Sequence, residues 1–139
     1  MSFAIRRVES DHESVHKGLL ESLIAFNDAT IGASGYHPIA LTVDDEHGQM
    51  LGGLSGYVAY GWLFVELLFV PEALRGQGVG TELMRRAETE AVARGCHSVW
   101  LDTFEFQARG FYERLGYTCF GELKKYPTGS RFFMSKRLS

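Results

Sequence analysis

Val70-Pro71-Glu72-Ala73-Leu74-Arg75-Gly76-Gln77-Gly78-Val79-Gly80-Thr81 joins two segments of opposite character. Upstream lies the apolar run Trp62-Leu63-Phe64-Val65 and Leu67-Leu68-Phe69-Val70, interrupted only by Glu66. Such a run reads as a strand buried on both faces. Downstream, Val79, Leu83, Ala87 and Ala91, with Met84 and Val92 beside them, recur at the helical period. The join is therefore strand, short loop, glycine-rich turn, helix. This helix start lacks the usual remedy for its unpaired N–H groups, a Ser, Thr, Asp or Asn cap. Gly76, Gln77, Gly78, Val79 and Gly80 stand there instead. Glycines permit positive φ and close approach of a ligand. Uncapped N–H groups at the positive end of a helix suit a bound phosphate, and Arg75 adds a guanidinium that can pair with its oxygens.

The rest of the chain builds an α/β frame around this join. Phe3 to Val8 reads as a strand, and Ser10-x-x-Glu13 as a capping box opening a helix. Val15, Leu19, Leu23 and Phe26, with Leu20 and Ile24, mark that helix's buried face, and it should end near Gly32. Ile39 to Asp44 and Met50 to Tyr60 read as strands around the polar turn Asp45-Glu46-His47-Gly48-Gln49. Glycines 52, 53 and 56 inside the second of these signal a bulge or a close backbone approach. Consecutive hairpins imply an antiparallel meander. The central helix runs to about Arg94, with Gly95 beyond its end. Ser98 to Thr103, reached through a helical crossover, should pair parallel to the strand ending at Val70. A short helix over 107–115 stops at Gly116, and strands over 117–123 and 131–136 flank a turn at Tyr126-Pro127-Thr128-Gly129.

At 139 residues, 45% of them hydrophobic and 22% charged, the chain is expected to form a single globular domain over 1–139. No apolar run approaches the roughly 20 residues of a membrane span, and the N-terminus turns charged at Arg6-Arg7, too early for a signal peptide. A net charge of −3 argues against nucleic-acid binding. Cys96 and Cys119 make no disulfide framework, so a cytoplasmic setting is expected. His12 and His16 have i, i+4 spacing but no third ligand, so no metal is expected. Lys124, Lys125, Arg131, Lys136 and Arg137 form a basic cluster read as a solvated face. Tyr36, Trp62 and Tyr126 are candidate pocket aromatics, with core packing the stronger reading for Trp62.

Arg75-x-x-Gly78-x-Gly80 after an apolar strand resembles the acyl-coenzyme-A-binding motif of the GCN5-related N-acetyltransferase (GNAT) superfamily. Ala108-Arg109-Gly110-Phe111-Tyr112-Glu113-Arg114-Leu115-Gly116-Tyr117 resembles its second signature, a short helix carrying a Tyr, then a Gly and an aromatic. Two signatures in order are far more specific than either alone. The resemblance implies a mixed, mostly antiparallel sheet flanked by helices, with a splayed pair of parallel strands. It implies acetyl-coenzyme A as co-substrate, its pyrophosphate on Arg75, Gly76, Gln77, Gly78, Val79, Gly80 and Thr81. The pantetheine arm would bond to the backbone of Leu68, Phe69 and Val70. It implies transfer of acetyl to a primary amine of a small molecule or peptide, and dimers are common among similar proteins. Many members carry an Asn shortly before the Tyr; Glu105 stands there in this chain, with Gln107 two residues on, so that coenzyme contact is not carried over.

Acetyl transfer to an amine needs a neutral nucleophile, hence a base or water path, donors for an oxyanion, and an acid for the leaving thiolate. Tyr112 matches the family Tyr near the coenzyme sulfur and is the candidate acid. Glu66 is one candidate base: a carboxylate inside an apolar strand is costly unless paired or used, and burial would raise its pKa. Asp102, at the end of the neighbouring strand where ligands gather in open α/β sheets, is the other. A structural ion pair for Glu66 and a turn-capping role for Asp102 compete with these assignments. A Rossmann dinucleotide site is disfavoured, because Thr81 replaces its third small residue, residues 71–75 lengthen the turn, and the hairpins do not build a doubly wound sheet. A GNAT-like domain that binds acyl-coenzyme A without turning it over is the non-enzymatic alternative.

Overall fold

The computed structural model describes residues 1–127 and 129–139. The chain divides into two compact units, Met1–Ser34 and Gly35–Ser139.

The first unit is one helix, α1 (His12–Ile31), preceded by irregular chain. The strand expected over Phe3 to Val8 does not form; a strand needs a neighbour to pair with, and this unit holds only a helix. The Ser10/Glu13 capping box also fails. The helix begins one residue late, with Asp11 at the cap (φ 60°) and no side-chain bond to the first turn, so Glu13 stands one position short of the box spacing. The His12 ring nitrogen lies 3.0 Å from the Val8 carbonyl and holds the entry instead. The far end closes as expected: Gly32 (φ 100°) donates to the Asp28 carbonyl at 3.0 Å. Leu20 and Ile24 are half-buried, whereas Val15, Leu19, Leu23 and Phe26 are exposed. A single helix has no second apolar surface within its own unit to cover such a stripe.

The second unit is a six-stranded mixed sheet of β1 (His37–Asp44), β2 (Met50–Ala59), β3 (Trp62–Phe69), β4 (Ser98–Phe104), β5 (Thr118–Tyr126) and β6 (Gly129–Arg137), in the order β1-β2-β3-β4-β6-β5. Its helices are α2 (Val79–Ala93) and α3 (Arg109–Arg114). Asp45 builds the first hairpin turn, its Oδ1 accepting from the His47 and Gln49 amides at 2.8 and 2.9 Å. Tyr60 (φ 51°) and Gly61 (φ 81°) make the two-residue second turn, where positive φ matches the strand twist. β3 and β4 pair parallel across the α2 crossover, and every other pair is antiparallel. A doubly wound parallel sheet is thereby excluded. The Tyr126–Gly129 turn contains Thr128 and lies outside the described residues.

Alternation divides the sheet faces. Ile39, Leu54, Val58, Leu63, Val65, Val99, Leu101, Phe132 and Met134 form one buried core with Leu83, Met84, Ala87 and Ala91 of α2 and with Tyr112 and Tyr117. Val79 packs at its margin, while Val92 is exposed, because α2 has only one covered face. β3 is not buried on both faces as its apolar run implied. Leu63 and Val65 are sealed, but Leu67 and Phe69 are 64% and 57% exposed. The physical reason is local: past Val65 the strand loses its β4 partner and opens on one side.

The β2 glycines allow close strand approach. A Cβ on Gly56 would stand 2.0 Å from the Phe64 carbonyl oxygen, and one on Gly52 2.4 Å from that of Phe69. The register also shifts here: Ser55 faces Leu67 and Gly56 faces Val65, leaving Glu66 as the extra residue of a bulge. Gly56→Ala should lower stability by about 3 kcal/mol, because backbone rather than a flexible side chain must move. Thermal unfolding at a Tm unchanged from wild type would contradict that packing.

Candidate active site

The parallel pair defines the site. Trp62, Leu63, Phe64 and Val65 pair with Ser98, Val99, Trp100 and Leu101, and pairing then stops. β3 continues along β2 to Phe69, and β4 continues along β6 to Phe104. The strands therefore fork, and the next residue on each limb is a carboxylate: Glu66 on β3 and Asp102 on β4. On the β4 side, the backbone from Glu66 to Phe69 has no strand partner. Leu68 and Phe69 thus have main-chain groups without a β4 partner, as a pantetheine arm would need, whereas the Val70 carbonyl is already taken by Arg75.

The cradle follows directly. Pro71 starts a single 3-10 turn, Glu72–Leu74. Arg75 Nε donates back to the Val70 carbonyl at 3.0 Å, folding the loop against the strand end. The other guanidinium N–H groups have no partner among the described residues. Gly76 (φ 78°) and Gly78 (φ 80°) take the left-handed conformation, and no atom lies within 4 Å of where a Cβ would stand on either. Gly78 caps α2 without any side-chain hydrogen bond. The first-turn amides of Val79, Gly80 and Thr81 thus face open space at the positive end of a 15-residue helix. Backbone donors, two open glycines and a nearby guanidinium fit a pyrophosphate. Gln77 donates to the Ala73 carbonyl at 3.2 Å and steadies the loop.

Gly80 couples the cradle to α3: a Cβ there would meet the Phe111 ring at 3.2 Å. Phe111 in turn touches Tyr112, ring centroids 5.1 Å apart. The Tyr112 ring is buried, yet its hydroxyl has no hydrogen bond among the described residues and is not sealed from solvent. Burial, and then the Asp102 charge, push its pKa up to about 12. Tyr112 therefore holds its proton at neutral pH, as an acid must. The same shift carries a stability consequence. The stabilisation is whole below the unfolded value of 10 and is lost as pH climbs from 10 to about 12. Denaturation midpoints should fall across that window in wild type and less in Tyr112→Phe.

The carboxylates differ. Glu66 is exposed and has no hydrogen bond or ion pair among the described residues; the burial expected for it does not occur, because it occupies the bulge at the open fork. Asp102 is the more covered, its side chain 17% exposed, and its Oδ1 accepts from Arg131 Nε and Nη2 at 2.9 and 2.8 Å. Glu105 is turned away from the cradle, its carboxylate beside Gly129. Trp62 is no core residue; it is partly exposed and meets the His97 ring edge-on at 5.7 Å.

Two ion-paired networks have no sequence signal. Tyr117 donates to Glu88 Oε2 at 2.5 Å, and Lys136 reaches Glu88 Oε1 at 3.0 Å. Burial, and then the bond to Glu88, raise the Tyr117 pKa far above its ordinary value. The partners lie 29 and 48 residues apart, so only the fold joins them. Arg131 and Lys136 are thereby engaged, correcting the view of the C-terminal basic cluster as purely solvated. Among the described residues no group of His, Cys, Asp and Glu could hold a metal, and no helix is long and apolar enough to cross a membrane.

Residues 6–117 match the acetyltransferase (GNAT) family model. Acetyltransferase Atu2258 of Agrobacterium fabrum is 40% identical over 129 residues, 93% of each chain. Blasticidin-S acetyltransferase of Streptomyces morookaense is 44% identical over 85 residues, 60% of this chain and 62% of that one. A crystal structure from Agrobacterium tumefaciens superposes with a TM-score of 0.84 at 38% identity, covering 99% of both chains. With a family model matched over most of its length and a relative 40% identical across 93% of it, the chain belongs to the acetyltransferase (GNAT) family.

Proposed function

We propose that this protein transfers the acetyl group of acetyl-coenzyme A to a primary amine of a small molecule or peptide, by direct attack in a ternary complex. The observation that carries this reading is the fork after Val65 and Leu101, together with the α2 cradle, whose Gly80 packs against Phe111 of the Tyr112 helix and against Val70. The amides of Gly78, Val79, Gly80 and Thr81, with Arg75, hold the pyrophosphate of the co-substrate. The open backbone of Leu68 and Phe69 aligns its arm, and positioning of this kind can supply a large part of the rate.

In the reaction, the acceptor ammonium first gives a proton to Glu66, directly or through water. Its lone pair then attacks the thioester carbonyl carbon. A C–N bond forms, the carbonyl oxygen becomes an oxyanion, and unpaired N–H groups at the β3 bulge are suited to receive it. On collapse the C–S bond breaks and the sulfur takes the Tyr112 proton. The second amine proton leaves to water and Tyr112 is reprotonated, giving the amide and free thiol. Glu66 is the base in this scheme because its carboxylate is uncommitted. Asp102, tied to Arg131, keeps Tyr112 protonated through its charge. The blasticidin-S relative supports a small-molecule acceptor, and two free thiols suit the cytoplasm. The two units are read as one catalytic domain.

Calorimetry with acetyl-coenzyme A, followed by thiol release across an amine panel, tests the proposal. Micromolar binding with amine-dependent thiol release is expected. Binding without turnover would replace the enzyme by an acyl-coenzyme-A sensor.

A further inference from the structure

The sheet face opposite α2 carries a row of rings that the donor site does not use. Tyr57 pairs with Phe64 across β2 and β3, and Phe64 with Trp100 across β3 and β4, so the three side chains share one register. Phe64 stacks on Trp100 at 4.1 Å and 21°, Tyr57 meets Phe64 edge-on at 5.5 Å, and Tyr36 extends the row at 5.3 Å from Tyr57. All four are half-buried, so the row forms part of the protein surface. It leads to the fork: Glu66 lies two positions beyond Phe64, and Asp102 two beyond Trp100.

The charges along this row are unequal. Asp102 is ion-paired with Arg131. Arg131 is itself fully engaged, by Asp102 and by a hydrogen bond to Tyr126, with the Phe104 and Phe133 rings beneath it. His97, at the other end beside Trp62, is bonded to Ser98 Oγ at 2.8 Å. Among the described residues of the row and the fork, Glu66 is the charge with no partner. It lies near the row, two positions beyond Phe64, and after burial and Tyr36 its charge also holds the Tyr57 hydroxyl above its ordinary pKa. A single free negative charge beside aromatic rings does not match a hydroxylated polyamine, whose several ammonium groups need several carboxylates. It matches one cation on a flat apolar body, which gains from ring stacking and cation–π attraction.

We propose that the acceptor is a singly charged amine borne on a flat unsaturated ring, which lies against Tyr36, Tyr57, Phe64 and Trp100 with its cationic end at Glu66. The proposal rests on the acetyltransferase reading and names its substrate class. Calorimetry on protein loaded with coenzyme A, where no turnover occurs, compares 2-phenylethylamine with 2-cyclohexylethylamine, of equal charge and reach, and with kanamycin. The phenyl compound should bind about five-fold tighter than the cyclohexyl one. Glu66→Gln should weaken both by about five-fold and leave coenzyme A affinity unchanged. Phe64→Leu should abolish the ring preference while sparing the Glu66 effect; Tyr36→Leu, at the outer end of the row, gives the same readout should Phe64→Leu fold poorly.

Equal binding of the two monoamines, tighter binding of kanamycin, or no binding of any amine would overturn the proposal. Acetylation of amines without ring preference would sink this inference and leave the acetyltransferase reading intact. Ring-selective binding with no amine acetylated would overturn the acetyltransferase reading and leave the row and Glu66 as an amine-binding site only.

Discussion

Gly78→Asp is expected to weaken acetyl-coenzyme A binding by at least about 100-fold while leaving the fold intact. At φ 80°, Gly78 is in the left-handed region, which Asp and Asn tolerate better than other side chains. No atom stands within 4 Å of the added Cβ, so no clash disturbs the loop. A left-handed Asp does not cap a helix with its side chain, as Asp11 at the start of α1 shows, so the carboxylate stands as a free charge at the positive end of α2. The phosphate would then meet a like charge and an added side chain in the cradle. Gly78→Asn separates the contributions, for it adds the same bulk without the charge and should cost about ten-fold. Calorimetry on both variants, beside their melting curves, provides the check. An Asp variant that is no less stable than wild type yet binds the co-substrate normally would place the pyrophosphate elsewhere.

Tyr112→Phe is expected to lower kcat by about 100-fold and to change acetyl-coenzyme A affinity little. Phe keeps the ring packed against Phe111 and Tyr117, 5.1 and 5.8 Å away. The lost hydroxyl makes no hydrogen bond within the described protein, so no buried partner is orphaned and stability at pH 7 should hold. The variant therefore isolates proton donation from folding. With its pKa pushed up to about 12, Tyr112 cannot produce an alkaline limb in the rate profile near neutrality. An unchanged kcat removes Tyr112 as the acid.

Much of the site was readable because it rests on local geometry. Gly76 and Gly78 occupy positive-φ positions that side chains resist, and the missing cap on α2 follows from the identities of five successive residues. Tyr112 was placed by its resemblance to a family motif, not by composition, since a buried aromatic on a short helix is ordinary core. The errors share one cause. Ser10 and Glu13 have capping-box spacing, Phe3 to Val8 has strand character, and α1 has an apolar stripe, yet cap, strand and buried face each require a partner that spacing cannot supply. Glu66 was expected to be buried because the residues on both sides of it are apolar. It is exposed because β3 parts from β4 one residue earlier.

The sequence by itself determined the elements from α1 onward, their order and the glycine turn before α2, since periodicity, glycine conformation and uncapped amides depend on neighbours a few residues away. Only the tertiary structure decided where the parallel pair forks, that Arg131 claims Asp102 while Glu66 stays uncommitted, that Tyr117, Glu88 and Lys136 form one network, and that Tyr57, Phe64 and Trp100 line up across three strands with Tyr36 beside them. Each of these depends on register between segments far apart in the chain, and register is set by how the whole sheet packs.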